Sequence, residues 1–114
     1  MNLQRKIIFH KNYFIDFYKN QPEKVQEKIE YVLMILKTVQ YVPKKFLTHI
    51  SGEEGLYEVR VEYESNIYRI FCCFDQGNLI LLFNGFQKKS QKTPRKEIKL
   101  AHTLKNEYFI SKNN

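Results

Sequence analysis

The 114-residue sequence predicts an α+β fold, a twisted, mostly antiparallel sheet packed by N-terminal helices and a C-terminal helix. Three observations carry this expectation: an amphipathic stretch at helical spacing early in the chain, three strand-like runs joined by turn residues, and a second helical stretch at the end. The expected sheet is an N-terminal strand plus a three-stranded meander. Residues 1–114 are expected to form a single domain, since the length leaves no room for a second core. Nine Phe and eight Tyr supply an interior, and four Gly and three Pro are too few for a disordered composition.

Lys6-Ile7-Ile8-Phe9-His10 has the pattern of a short first strand, and the aromatic run from Tyr13 to Tyr18 that of a short helix packed on the core. Asn20 lies three residues before Glu23 with Pro22 between them, a helix-start signature. Val25, Ile29, Val32, Leu33 and Leu36 then recur at helical spacing, and Pro43 stops the helix near residues 39–42. In the meander, Tyr57, Val59, Val61 and Tyr63 alternate with Glu58, Arg60 and Glu62, the period of a half-buried strand. Glu64-Ser65-Asn66 makes a turn. Ile67 to Phe74 is apolar on both faces except at Arg69, so it is expected to be central. Asp75-Gln76-Gly77-Asn78 turns again into a central strand, Leu79 to Phe83. Thr93-Pro94 opens the last helix, whose Ile98, Ala101, Leu104 and Tyr108 can face the sheet.

No apolar run approaches the ~20 residues that span a bilayer, and Met1 to Lys6 lacks a signal-peptide pattern, so a cytoplasmic protein without membrane contact is expected. Cys72 and Cys73 are adjacent on a strand and point to opposite faces, which suits buried free thiols better than a disulfide. His10, His49 and His102 lack ligand spacing, so neither a metal nor another cofactor is expected.

The net charge of +7 is concentrated. Between residues 87 and 105, seven cations (Lys88, Lys89, Lys92, Arg95, Lys96, Lys99, Lys105) face one acid, Glu97. Such a patch suits a polyanion, because neutralising phosphates releases counterions, although a solvated basic helix or an acidic protein partner is equally compatible with charge alone.

Arg69 is a charge on an otherwise apolar strand, costly unless paired or facing a wet cleft. A hairpin loop of two or four residues puts Arg60 and Arg69 on one sheet face, where two guanidiniums can grip a phosphate. Alternatively, Glu58 and Glu62 on that face neutralise both. The segment from Gly85 to Pro94 leaves the last strand and borders the same face, so its lysines either bind RNA backbone or are merely solvated. There is no Gly-rich phosphate loop, paired-metal carboxylate set or nucleophilic triad. RNA cleavage would then proceed by attack of the substrate's own 2′-hydroxyl, with Tyr, Lys or His as acid and base, His49 and His102 among the candidates.

Three ordered elements are more specific: Gly55-Leu56-Tyr57-Glu58-Val59-Arg60, Ile67-Tyr68-Arg69-Ile70-Phe71, and Leu81 through Pro94, followed by Glu97-Ile98-Lys99-Leu100-Ala101. They resemble the HigB-like, phage-derived branch of the RelE/ParE toxin superfamily, which carries GLYELR, YR, GFxKKTQKTP and EIxxA in this order. The start of the Asn20-to-Val25 helix is also similar to theirs. Ser90 stands where that motif has Thr. The resemblance implies a RelE-like fold and a toxin that cleaves mRNA on the ribosome and is silenced by a cognate antitoxin, expected to be a helix-turn-helix protein. Carried over, it puts Arg60, Arg69, Lys88 and Lys89 at the scissile phosphate and Lys92, Arg95 and Lys96 along the RNA. His102 and Tyr108 lie where some relatives keep an acid–base residue. The alternatives are a gyrase inhibitor like the ParE branch and an inactive relative that only binds nucleic acid.

Overall fold

The computed structural model describes residues 4–89 and 92–113. Ser90 and Gln91 of the basic motif lie outside the described residues. The elements run β1 (Lys6–Phe9), α1 (Tyr13–Lys19), α2 (Glu23–Thr38), β2 (Leu47–His49), β3 (Tyr57–Tyr63), β4 (Asn66–Asp75), β5 (Leu79–Lys88) and α3 (Arg95–Lys112). One sheet has the order β1-β5-β4-β3-β2, antiparallel except where β1 lies parallel to β5.

The expected α+β architecture is present, with one strand more than the four expected. β2 has only three residues and no periodicity of its own; its pairing with β3 makes it a strand. The start of α2 also differs from expectation. Pro22 takes the N-cap position without a side-chain bond, whereas Asn20 ends α1, its N–H donating to the Phe17 carbonyl and the next N–H, of Gln21, to the Tyr18 carbonyl. The fixed φ of proline suits a helix entry, and the two helices are too close for Asn20 to serve the second. The far end of α2 is held from outside. The Arg5 guanidinium donates to the carbonyls of Leu36, Val39 and Gln40 at 2.9, 2.6 and 2.7 Å, a cation on the negative end of the helix dipole.

Both sheet faces are covered. Val25, Ile29, Val32 and Leu36 of α2 pack with Phe14 against Val59, Val61, Ile70, Cys72, Ile80 and Leu82. Burying each such α2 side chain stabilises the fold by roughly 1.5–3 kcal/mol. On the other face Ile98, Ala101 and Leu104 of α3 cover Leu56, Phe71, Cys73, Leu81 and Phe83. The adjacent cysteines follow that alternation, both buried and free, and burial pushes the Cys73 thiol up to about 11. No described helix is long and apolar enough to cross a membrane.

Two local features position the site. Glu64 and Ser65 form a two-residue turn with φ of 48° and 70°, so Tyr63 pairs with Asn66 and Arg60 stands directly opposite Arg69. The second feature is a bulge. Between the pairs Cys72↔Leu82 and Ile70↔Gly85, β5 uses one residue more than β4. Strict alternation from Leu81 and Phe83 would turn Lys88 toward α1 and α2; the extra residue re-aims the strand and brings Phe86 and Lys88 to the face of Arg69.

A candidate phosphate site on the α3 face of the sheet

α3 covers the half of its face that carries Phe71, Cys73, Leu81 and Phe83. Beyond it, on β3, β4 and the end of β5, lie Glu58, Arg60, Glu62, Arg69 and Lys88. The Phe86 ring, 5.5 Å from that of Phe71, forms the apolar border. Lys88 was expected on a flexible connection together with Lys89 and Lys92. Instead it is the last residue of β5, paired with Ile67 and diagonal to Arg69, because the strand runs five residues past Phe83.

Arg69 is only 7% exposed and its Nη1 donates to the equally buried Glu58 carboxylate, two positions along β3 from Arg60. Arg60 Nη2 donates to Glu62 at 2.8 Å, a more exposed pair. The two acids named as alternative partners therefore do engage both arginines. Neither arginine is saturated, however: Nε of Arg60 and Nε of Arg69 are buried donors without an acceptor. A buried donor left unmade costs roughly 1–3 kcal/mol. With Lys88, three cations face two carboxylates. Partial desolvation, and then the charges of Arg69 and Arg60, hold the Lys88 ammonium below its usual range against the opposing pull of Glu58.

Asn84 was not recognised from the sequence. It is buried at the bulge, donating to the Glu97 carbonyl at 3.1 Å and to the Glu97 carboxylate at 3.0 Å, and so ties the first turn of α3 to the rim of the site. A polar residue between Phe83 and Gly85 in an apolar strand was the available signal. Gly85 has its own reason. A Cβ there would stand 2.6 Å from the Phe17 ring, so glycine lets α1 close on β5.

Other predicted site residues lie elsewhere. Lys89, Lys92, Arg95 and Lys96 are exposed around the entry to α3. His102 is bound to Glu53 at 2.7 Å on the loop between β2 and β3. The Tyr108 hydroxyl donates to Asp75 at 2.7 Å, beside Lys112, and Asp75 is six residues along β4 from Arg69, roughly 20 Å at strand rise. Lys112 first, and then Tyr108, hold the Asp75 carboxyl below its usual range. Tyr108 and Lys112 thus pin the end of α3 to the sheet, and neither His102 nor Tyr108 is brought to the arginines. His49 is exposed on β2, its ring edge-on to Tyr57.

Comparison with known proteins bears on this architecture. Residues 16–106 match the family described as phage derived protein Gp49-like (DUF891). No curated protein matches the chain. Among solved structures, a chain of the archaeal RelE–RelB complex from Pyrococcus horikoshii OT3 superposes with a TM-score of 0.56 at 15% identity, covering 78% of this chain and 99% of that one. A chain of the RelB–RelE antitoxin–toxin complex from Methanococcus jannaschii gives 0.53 at 20% identity, covering 76% and 99%. At such identities the likeness is one of fold, and the family match spans most of the sequence. The chain belongs to the phage-derived Gp49-like family and has the α+β architecture of RelE.

Proposed function

We propose that this protein is the toxin of a toxin–antitoxin system, an endoribonuclease of the HigB-like branch that cuts mRNA on the ribosome. The observation that carries the reading is the face-to-face pair Arg60 and Arg69, each with an unmade buried Nε donor and with Lys88 diagonal to Arg69. Two forked cations and an ammonium suit a phosphodiester whose negative charge grows as its phosphorus becomes pentacoordinate. In the proposed reaction the 2′-oxygen loses its proton to a base and attacks the adjacent phosphorus. The bond to the 5′-oxygen breaks, and the products are a 2′,3′-cyclic phosphate and a 5′-hydroxyl that takes up a proton. Lys88, with its lowered pKa, is the best-placed base. Lys89, Lys92, Arg95 and Lys96 would guide the RNA backbone. The fold likeness to chains from RelE–RelB complexes supports a protein antitoxin as partner.

One observation favours a non-enzymatic reading, as a gyrase inhibitor or an inactive binder of nucleic acid: both arginines already have carboxylate partners. Pulse labelling after induction without antitoxin separates the readings. Protein synthesis is expected to stop first, with cyclic-phosphate ends appearing on mRNA. Arrest of DNA synthesis while translation continues would establish the gyrase reading instead.

A further inference from the structure

β2 ends early. At its N-terminal end its outermost pair with β3 is Leu47↔Val59, beyond which the Arg60 N–H still donates to the Phe46 carbonyl. Past that point β3 is an open edge, and a cavity of ≈ 370 Å³ lies there between the sheet edge and α2. Its walls include Lys28, Tyr31, Lys45, Phe46 and Arg60. The Tyr31 ring is 47% exposed and stands edge-on to Phe46, their centroids 6.5 Å apart. Each ring carries an ammonium 5.0 Å from its centroid, Lys28 over Tyr31 and Lys45 over Phe46. A second cavity, also lined by Tyr31 and Lys28, continues the surface to Tyr63.

Aromatic rings interleaved with lysines form the arrangement that stacks the bases of single-stranded nucleic acid. The lining argues for a base rather than a phosphate, because Glu62 and Glu64 nearly balance the three cations of the cavity. Arg60 provides the link. It lines this cavity, stands opposite Arg69 and keeps a buried Nε donor unmade. We infer that the edge cavity is a base-stacking subsite, in which Tyr31 and Phe46 take the base of a nucleotide adjoining the phosphate held at Arg60 and Arg69. The base displaces the weakly held ammonium groups, and Lys28 and Lys45 turn to the flanking backbone. Such a stack adds affinity with at most a modest base preference, because every base offers a π-face. This inference rests on the proposed RNA-binding role of the arginine face.

The test is binding of a short 2′-O-methylated oligoribonucleotide, which its own 2′-oxygen cannot cleave, compared with versions abasic at each position in turn. In the wild-type protein one abasic position is expected to weaken binding about tenfold, the range of a single base–aromatic stack. Tyr31→Leu, at a half-exposed position that spares the core, should weaken binding of the intact strand by a similar factor and no longer discriminate that abasic version. Equal binding of every abasic version, or unchanged discrimination in Tyr31→Leu, would overturn the subsite. The phosphate reading has a separate signature, since Lys88→Gln should weaken all strands alike. If Lys88→Gln binds as wild type while the Tyr31 effect persists, Lys88 makes no contact with the strand and the base subsite stands. If the wild-type protein binds no strand, the base subsite falls, while the proposed cleavage on the ribosome is decided separately by the pulse labelling.

Discussion

Arg69 is a buried charge paired with Glu58, and the proposed function gives it a chemical role as well. Truncating it leaves Glu58 buried and unpaired, which typically costs 3–5 kcal/mol. Arg69→Ala is therefore expected to lower the unfolding midpoint as well as abolish cleavage, and alone cannot separate the two roles. Arg69→Lys keeps the charge beside Glu58 and loses the planar fork. We expect it to remain folded while cleavage falls about 10²-fold, the scale of one lost transition-state donor. The apolar pair Glu58→Leu with Arg69→Met should regain stability but not cleavage, as measured by chemical denaturation and single-turnover assays. Recovery of cleavage in that double variant would exclude Arg69 from the chemistry. Lys88 permits a pH test with a definite sign. A base works when deprotonated, so cleavage should rise with pH through a midpoint below the ordinary lysine value of 10.5, and Lys88→Gln should lose that limb. The stability consequence has the opposite sense from a salt bridge. The fold disfavours the charged form, so the ammonium costs stability below its folded pKa and the cost fades as pH rises past it. Lys88→Met should accordingly not lower, and should slightly raise, the melting midpoint near neutral pH.

At the scale of elements, the site depends on how β5 is built and held. Its bulge turns Phe86 and Lys88 to the arginine face, and Gly85 on the opposite face admits Phe17 of α1. The glycine of the Gly85-Phe86-Gln87-Lys88-Lys89 segment thus has a packing reason independent of RNA. Gly85→Ala should destabilise by about 1–3 kcal/mol, because a Cβ at 2.6 Å from the ring forces α1 outward. Adding Phe17→Leu should recover much of that loss in denaturant titrations, and failure to recover it would mean that the strand backbone itself rejects a side chain. At its two ends α3 is fastened by Asn84–Glu97 and by Tyr108 and Lys112 on Asp75. The Asp75 contribution is present above the ordinary aspartate value of 3.8 and is lost as pH falls through its depressed folded pKa, so acid should loosen the last turns of α3.

For the molecule as a whole, Lys88, Lys89, Lys92, Arg95 and Lys96 of the basic segment gather at the end of β5 and the entry to α3. Cations there should act on RNA mainly through its backbone. Removing Lys88, Lys89 and Lys92 together is expected to weaken RNA or ribosome binding across all sequences. It should also flatten the logarithmic salt dependence by roughly one unit per lost contact. An unchanged salt slope in the triple variant would remove this path for the RNA.

Much of this was legible in the chain. Periodicity located both long helices, alternation located the meander, and the turn residues between Tyr63 and Asn66 were enough to put Arg60 and Arg69 on one face, because side chains in a hairpin of even loop length keep their parity. Apolar and polar spacing is a local property, so the residues alone determined these elements. Other features depended on partners distant in sequence. β2 is a strand only because β3 lies beside it, and Asn20 closes one helix instead of opening the next because of where α1 stops. A bulge adds one residue without any local mark, and that residue decides which face Lys88 occupies. Whether Arg69 was paired or open was likewise undetermined in the sequence, where Glu58 could serve as partner or bystander. Tertiary packing decided it as both: Nη1 meets the Glu58 carboxylate inside the sheet face, and Nε is left buried without an acceptor.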